Sequence, residues 1–449
     1  MHIIIVGGSD AGTEAALAAR RTDPSAEITM LVADEYVNYS VCGLPFYVSG
    51  EVDDWHALAH RDLASIRAAG IDVRLGHRAD AIDPIARRLA GRDRAARFDL
   101  GYDRVVIATG ATPVRPSIPG IDADGVFVLH TMGDGLRLRG WLDERRPSTV
   151  LVAGGGYIGV ELADALTRRG VRVTLAGRAH SVLPTIDPPL GNLLGDELER
   201  NGVAVLTRCP VGAIEASAGR LRVRLAHGDG VPVDGVIVAA GVQPDVALAS
   251  SAGIELGVRG AIVVTRAMTT SDLAVYAAGD CVETFHALLE RPMYAPLGTT
   301  AHKQGRVAGI NAAGGTASFA GSLGTQVVKV FDLAAARTGL SEADAEAAGW
   351  QARTVATTVP DHTRYYPGAT DLHIRIVGDA VTGRLLGVQI VGDWRSEVAK
   401  RIDIAATAIH EGLRVEGLTR LDLSYTPPVS SPWDPLQVAA DAWIRSAPG

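Results

Sequence analysis

Cysteine is scarce in this chain: Cys42, Cys209 and Cys281 are the only three in 449 residues. So few cannot build a disulfide framework, and their spacing fits no metal-ligand pattern. Aromatic residues make up only 5%, Lys and Arg form no long run, and the net charge is −8. A chain of that balance lacks the basic face that nucleic-acid binding needs. Any apolar stretch of the roughly 18 residues needed for a spanning helix is also missing. The opening strand at His2–Val6 is read as leaving no room for a secretory leader. These absences point to a cytoplasmic protein that acts on small molecules, away from nucleic acid and membrane. A cysteine that matters here must act without a partner cysteine close in sequence.

Glycine, by contrast, is plentiful at 51 residues, in a chain that is 47% hydrophobic and 21% charged. That composition suits a globular enzyme and not a disordered chain. At roughly 150 residues per domain, the length accommodates about three domains. A strand at His2–Val6 runs into Gly7-Gly8-Ser9-Asp10-Ala11-Gly12, then a helix over 13–21 and a strand at Glu27–Val32. The same order returns about 150 residues later. It comprises strand Thr149–Ala153, turn Gly154-Gly155-Gly156-Tyr157-Ile158-Gly159, a helix over 160–169 and strand Arg172–Ala176. One glycine turn would be a weak sign, but two with the right flanks predict two Rossmann-like dinucleotide-binding domains. Further strands ending in small residues are expected at 104–108, 235–239 and 273–277. After residue 321 the apolar spacing turns to period two, at 325–330, 371–376 and 385–391, followed by a helix over 396–411. The predicted fold class is α/β, two Rossmann-like domains with a C-terminal α+β domain.

Amide groups at a helix N-terminus are unpaired and sit at the positive end of its dipole, so they bind phosphate. Gly154, Gly156 and Gly159 complete a G-x-G-x-x-G, with glycine wherever a Cβ would crowd a pyrophosphate. In the first turn Gly7 and Gly12 remain, but Ser9 takes the middle place. An acid ending the second strand ordinarily holds a ribose hydroxyl, and an arginine there favours a 2′-phosphate. The second unit ends Leu175-Ala176-Gly177-Arg178. That predicts NADPH over NADH, with Arg178 and neighbouring His180 toward the phosphate; solvated surface accounts for an arginine equally simply. In the first unit Val32 stands where the acid is expected, and Asp34 follows as a candidate ribose contact.

Cys42 lies in Asn38-Tyr39-Ser40-Val41-Cys42-Gly43-Leu44-Pro45, just before a short helix over 45–49. A cysteine at a helix start faces the positive dipole end, which predicts a lowered pKa and a thiolate. Out of such context a lone cysteine is a small buried hydrophobe. Cys209 and Cys281 lack that context and read as structural. Asp280 reads either as a helix cap or as an acceptor for a polyol chain. The segment 296–300, containing Thr299, precedes a helix whose N-terminus suits an electron-rich ring.

Taken in order, the Gly7–Gly12 turn, the lone Cys42, Ala108-Thr109-Gly110, the Gly154–Gly159 turn, Gly279-Asp280 and the segment 324–340 resemble a known family. It is the single-cysteine class of pyridine nucleotide-disulfide oxidoreductases: coenzyme A-disulfide reductases, NADH oxidases and NADH peroxidases. The likeness spans essentially the whole chain. A lone cysteine separates it from relatives with a Cys-x4-Cys pair. The resemblance implies an FAD-binding domain at 1–116 and 249–321, an NAD(P)H-binding domain at 117–248 and a dimerisation domain at 322–449, hence a homodimer. It implies FAD on the first unit, among Gly7, Gly12, Asp34, Thr109, Gly110, Asp280 and Thr299. It further implies NADPH, with NADH as the alternative donor, on Gly154, Gly156, Gly159 and Arg178, with Tyr157 gating the nicotinamide face. Electrons would pass through the flavin to sulfur at Cys42.

Oxidases and peroxidases of this class resemble one another in a histidine within the first glycine turn, where this chain has Asp10. A carboxylate donates protons only if its pKa is strongly raised, so the departure weakens a sulfenic acid cycle at Cys42. Coenzyme A-disulfide reductases resemble this chain in two tyrosines reaching across the dimer, here Tyr365 and Tyr425. A phenol can protonate a departing thiolate, although interface packing is the plainer role. Arg20, Arg21 and Asn38 are expected at the coenzyme A moiety, with Arg61, His77 and Arg78 as weaker candidates. The helix macrodipole alone also favours arginines at the end of the first helix. The end at Gly449 is read as lacking an appended rhodanese-like domain. The leading expectation is an FAD-dependent reductase of coenzyme A disulfide, or a related small disulfide or persulfide, through a mixed disulfide at Cys42. An NAD(P)H oxidase or peroxidase, and a flavoprotein with a partner-binding or signalling role, are the alternatives.

Overall fold

The computed structural model describes residues 1–217, 219–226 and 230–447. Strand β1 (His2–Val6) carries Ile3, Ile4 and Ile5 with no exposed surface, the mark of a strand covered on both faces. Helix α1 (Asp10–Thr22) leads to β2 (Glu27–Val32), and a short α2 (Leu44–Ser49) follows. Strands β3 (Asp72–Leu75) and β4 (Arg104–Ile107) complete the first pass. The second unit contributes β5 (Val126–Phe127), β6 (Thr149–Ala153), α3 (Tyr157–Arg168), β7 (Arg172–Ala176), β8 (Ala204–Leu206) and β9 (Gly235–Val238). The chain then returns to the first body through β10 (Val275–Ala277) and α4 (Gly298–Ala312).

The first sheet is parallel in the order β10-β4-β1-β2-β3, and the second is parallel in the order β8-β7-β6-β9-β5. A third, antiparallel sheet has the order β11-β12-β15-β14-β13, from β11 (Gln326–Val330), β12 (Leu333–Gly339), β13 (Ala352–Pro360), β14 (Asp371–Asp379) and β15 (Leu385–Asp393). Helix α5 (Val398–His410) covers it, burying Val398, Ile402, Ala405 and Ile409. The α/β class with a C-terminal α+β unit is the architecture observed.

Helices α1 and α3 begin earlier than the sequence reading placed them, inside the glycine turns, because the last glycine of each turn packs against backbone. A Cβ on Gly12 would lie 2.0 Å from the Gly7 carbonyl oxygen, and one on Gly159 1.8 Å from that of Gly154. Two small antiparallel sheets, from Arg78–Asp83, Arg88–Arg92 and Arg97–Gly101 and from Val211–Ser217, Arg220–Leu225 and Val231–Val233, lie outside that reading. So does helix Pro435–Arg445, whose Trp443 fills the third core.

Candidate active site

Both glycine turns leave the C-terminal edges of their parallel sheets, where crossovers diverge and ligands bind in this class of fold. Here the two edges face one cavity of about 2570 Å³. That volume exceeds the roughly 300–1,000 Å³ of a pocket for one small ligand. Its wall includes Gly7, Asp10, Asp34, Cys42, Thr109 and Gly110 from the first body and Gly154, Gly156, Tyr157, Glu161 and Arg178 from the second. Asp280, Thr299 and His302 close it from the returning segment.

Cys42 sits in a single 3-10 turn, Val41–Gly43, whose entry is capped by the Ser40 hydroxyl accepting from the Gly43 amide at 3.1 Å. Cys42 is exposed on the cavity wall. Burial pushes the thiol pKa up, and the carboxylates of Glu161, Asp10 and Asp280 push the same way. That direction is opposite to the lowered pKa expected from the helix start: α2 is under two turns long, and burial leads the causes of the rise. Cys209 and Cys281 are buried elsewhere as free thiols.

The glycines divide by what their missing Cβ avoids. At Gly7 (φ 120°) and Gly154 (φ 129°) it would strike the carbonyl oxygens of Ala108 and Ala239 at 2.0 and 2.1 Å. At Gly156 nothing lies within 4 Å. Of the three glycines in the second motif, then, Gly156 alone leaves its space to the cavity, and Gly154 and Gly159 serve strand–helix packing. Asp280 takes no hydrogen bond on its carboxylate among the described residues, and burial with Asp10 nearby raises its pKa to about 6. The first amides of α4 likewise have no side-chain cap. Asp34 faces the cavity, its pKa raised by burial. The Thr109 hydroxyl donates to the Asp245 carbonyl at 2.6 Å, which ties two turns together, and its residue lines the cavity. The Tyr157 hydroxyl donates to Gln326 on β11 and accepts from Thr185 at 3.3 Å, which links its ring to the third domain. Arg178 lies exposed on the cavity rim and forms no ion pair among the described residues.

Three expected substrate residues do not line this cavity. Arg20 donates to the Pro24 and Gly70 carbonyls at 2.8 and 2.7 Å, so its guanidinium closes a loop. Arg21 lies 3.9 Å from Glu14 on the outer face of α1. Asn38 is buried with φ 47°, and its amide donates to Asp10 at 3.4 Å, a position inside the protein. Tyr365 and Tyr425 adjoin one another, 76% and 44% exposed, and neither lines the cavity of its own chain. Sequence reasoning missed His60 and His302, which reach the cavity wall beside Asp10, and Glu161, whose pKa burial raises to about 7. Nothing in the spacing marks the histidines, since they are distant in sequence and only the fold joins them.

Residues 1–305 match the family model for pyridine nucleotide-disulphide oxidoreductase, and residues 325–435 match that family's dimerisation domain. The chain belongs to this family. Similar proteins include the "NAD(P)H sulfur oxidoreductase (CoA-dependent)" of Pyrococcus furiosus, 35% identical over 98% of each chain. The NAD-dependent persulfide reductase from A. fulgidus is 38% identical with a TM-score of 0.95, over 99% of this chain and 83% of that one. An engineered water-forming NADPH oxidase bound to NADPH is 25% identical with a TM-score of 0.95, over 100% of this chain and 99% of that one. As a pyridine nucleotide-disulphide oxidoreductase, the chain is an enzyme of the FAD- and NAD(P)H-using type. Its residues fit those groups: the open space at Gly156, the unsatisfied Asp280 carboxylate and the uncapped amides of α4 all face the cavity. No helix among the described residues is long and apolar enough to cross a membrane.

Proposed function

We propose that this oxidoreductase uses NADPH and FAD to reduce coenzyme A disulfide, or a related small disulfide or persulfide, through a mixed disulfide at Cys42. The observation that carries the reading is Cys42 itself, the one cysteine on the wall of the cavity that both glycine turns face. The CoA-dependent sulfur oxidoreductase and the persulfide reductase among its relatives support the substrate class. Bound FAD supplies two-electron transfer between nicotinamide and sulfur. Residues 1–116 and 249–321 hold the FAD, 117–248 the NADPH, and 322–449 form a homodimer. Gly7 and Gly12 shape the first turn, Asp280 accepts from the ribityl hydroxyls, Asp34 takes the ribose contact that Val32 cannot, and Thr299 and Gly110 border the ring. Gly156 leaves room for the second pyrophosphate in a turn that Gly154 and Gly159 shape by close packing, and Tyr157 covers the nicotinamide site.

Arg178 favours NADPH because a free guanidinium at the end of β7 suits a 2′-phosphate. The engineered NADPH oxidase, made from the Lactobacillus brevis NADH oxidase, carries an alanine in place of aspartate followed by arginine in place of alanine among its changes. The Gly177-Arg178 pair has the same character, an acid absent and a base present. Tyr365 and Tyr425 are assigned to the cavity of the second protomer, where a phenol protonates the thiolate that departs when the mixed disulfide is reduced.

A second reading, an oxidase or peroxidase cycling Cys42 through a sulfenic acid, gains support from His302. This residue brings an imidazole to the cavity where the first glycine turn has none. Steady-state NADPH oxidation with coenzyme A disulfide, hydrogen peroxide and oxygen offered separately distinguishes the two. Turnover with the disulfide, lost in Cys42→Ser with FAD retained, is the expected result. Turnover with peroxide or oxygen alone would establish the second reading.

A further inference from the structure

Helices α1 and α4 cross with unusual closeness, and glycine makes it so. A Cβ on Gly305 would lie 2.2 Å from the Ala11 carbonyl oxygen, and one on Gly309 2.1 Å from that of Ala15. Their N-terminal ends therefore converge on the cavity, each presenting a polar side chain. His302 Nε2 of α4 lies 3.3 Å from an Asp10 carboxylate oxygen of α1. The ring of His60 stands edge-on to that of His302, with centroids 6.2 Å apart. Asn38 donates to the same Asp10 oxygen at 3.4 Å. Asp10, His60, His302 and Cys42 all line one cavity. Glu14 on α1, Lys303 on α4, Glu161 on α3 and Asp280 are the other charged groups around this cluster. Burial raises the Asp10 pKa, and the two histidines pull it back toward the charged form.

We propose that His302, oriented by Asp10, is the proton donor to the thiolate released when Cys42 attacks a disulfide. This rests on the thiol-exchange reading of Cys42 and assigns it a donor from the same chain. In the step, the Cys42 thiol gives its proton to the His302 imidazole, the resulting sulfur forms a bond to one sulfur of R–S–S–R, the original S–S bond breaks, and R–S⁻ takes that proton from His302. The products are the mixed disulfide Cys42–S–S–R, R–SH and neutral imidazole. No electrons enter or leave at this stage. The Asp10 carboxylate touches neither sulfur in the step and is a positioning residue. It holds the ring toward the cavity and balances its positive charge.

An acid is needed most when the departing thiol is weakly acidic, because acidic thiols leave unaided. The test is therefore a comparison of leaving groups. Enzyme reduced beforehand is mixed with coenzyme A disulfide or with an aromatic disulfide of acidic thiol, and release of the first thiol is timed in a single turnover. His302→Gln is expected to slow release from coenzyme A disulfide by about 10²-fold or more, with the aromatic disulfide affected only a few-fold. Asp10→Asn should show the same selective loss to a smaller degree, and it decides the matter if His302→Gln fails to retain FAD. Equal losses on both disulfides, or none on either, would overturn the role of His302. Undiminished thiol release by Cys42→Ser is a separate result; it overturns the exchange reading itself.

Discussion

Arg178 carries the cofactor preference at the scale of one residue. Its guanidinium is exposed at the cavity rim with no ion pair among the described residues. A charge-assisted bond to a phosphate contributes about 1.5–3 kcal/mol. Arg178→Ala should thus lower kcat/KM for NADPH by about 10- to 100-fold and leave NADH nearly unaffected, as measured by initial rates with each nucleotide. Glu161 illustrates a cost of site building. Burial, with Asp164 beside it, raises its pKa to about 7. The folded state therefore binds the proton more tightly than the unfolded state does. That stabilising contribution is complete below the unfolded value of about 4.3 and is lost as pH rises through the folded value. Glu161→Gln cannot ionise, so its melting temperature should fall less between pH 5 and pH 8 than that of the wild type. An equal fall in both proteins would show that Glu161 is solvated. Neither histidine of the Asp10 cluster could be picked out beforehand, because His60, His302 and Asp10 share no periodicity in sequence.

At the scale of elements, the crossing of α1 and α4 sets the geometry of the site. Gly305→Ala places a methyl 2.2 Å from a backbone oxygen that has no rotamer to yield. The helices must separate, a strain of about 1–3 kcal/mol. Thermal unfolding and bound FAD per chain should both decrease, whereas alanine at Gly195, with nothing within 4 Å, should leave FAD content unchanged. The strand–turn–helix units themselves were legible, since β1, β2, β6 and β7 occupy the ranges their apolar runs predict. The purpose of their glycines was legible only in part. Clearance for pyrophosphate and clearance for a neighbouring carbonyl leave the same letter in the sequence, and of the motif glycines in the second turn only Gly156 faces open space. Strand Arg220–Leu225 was missed although it alternates exposed arginine with buried Leu221 and Val223, because its charge masks a short apolar pattern.

At the scale of the whole molecule, the question is whether each cavity is completed by a second chain. Tyr365 and Tyr425 lie together on the outside of their own protomer. Hybrid dimers of Cys42→Ser with Tyr365→Phe/Tyr425→Phe contain one site with both sulfur and phenols intact if the tyrosines act across the dimer. Disulfide turnover near half that of the wild type is then expected, and loss of all turnover would place the tyrosines in the same chain as their sulfur. The sequence alone determined the duplicated nucleotide-binding plan, the antiparallel third domain, the family and the lone candidate sulfur, because local periodicity and motif order carry them. Only the tertiary structure decided that Arg20 and Asn38 make internal contacts, that burial and then acidic groups raise the Cys42 pKa, and that His302 meets Asp10. Those outcomes depend on distances between segments far apart in the chain. For His302 and Asp10 that distance is set by how closely Gly305 and Gly309 let two helices approach.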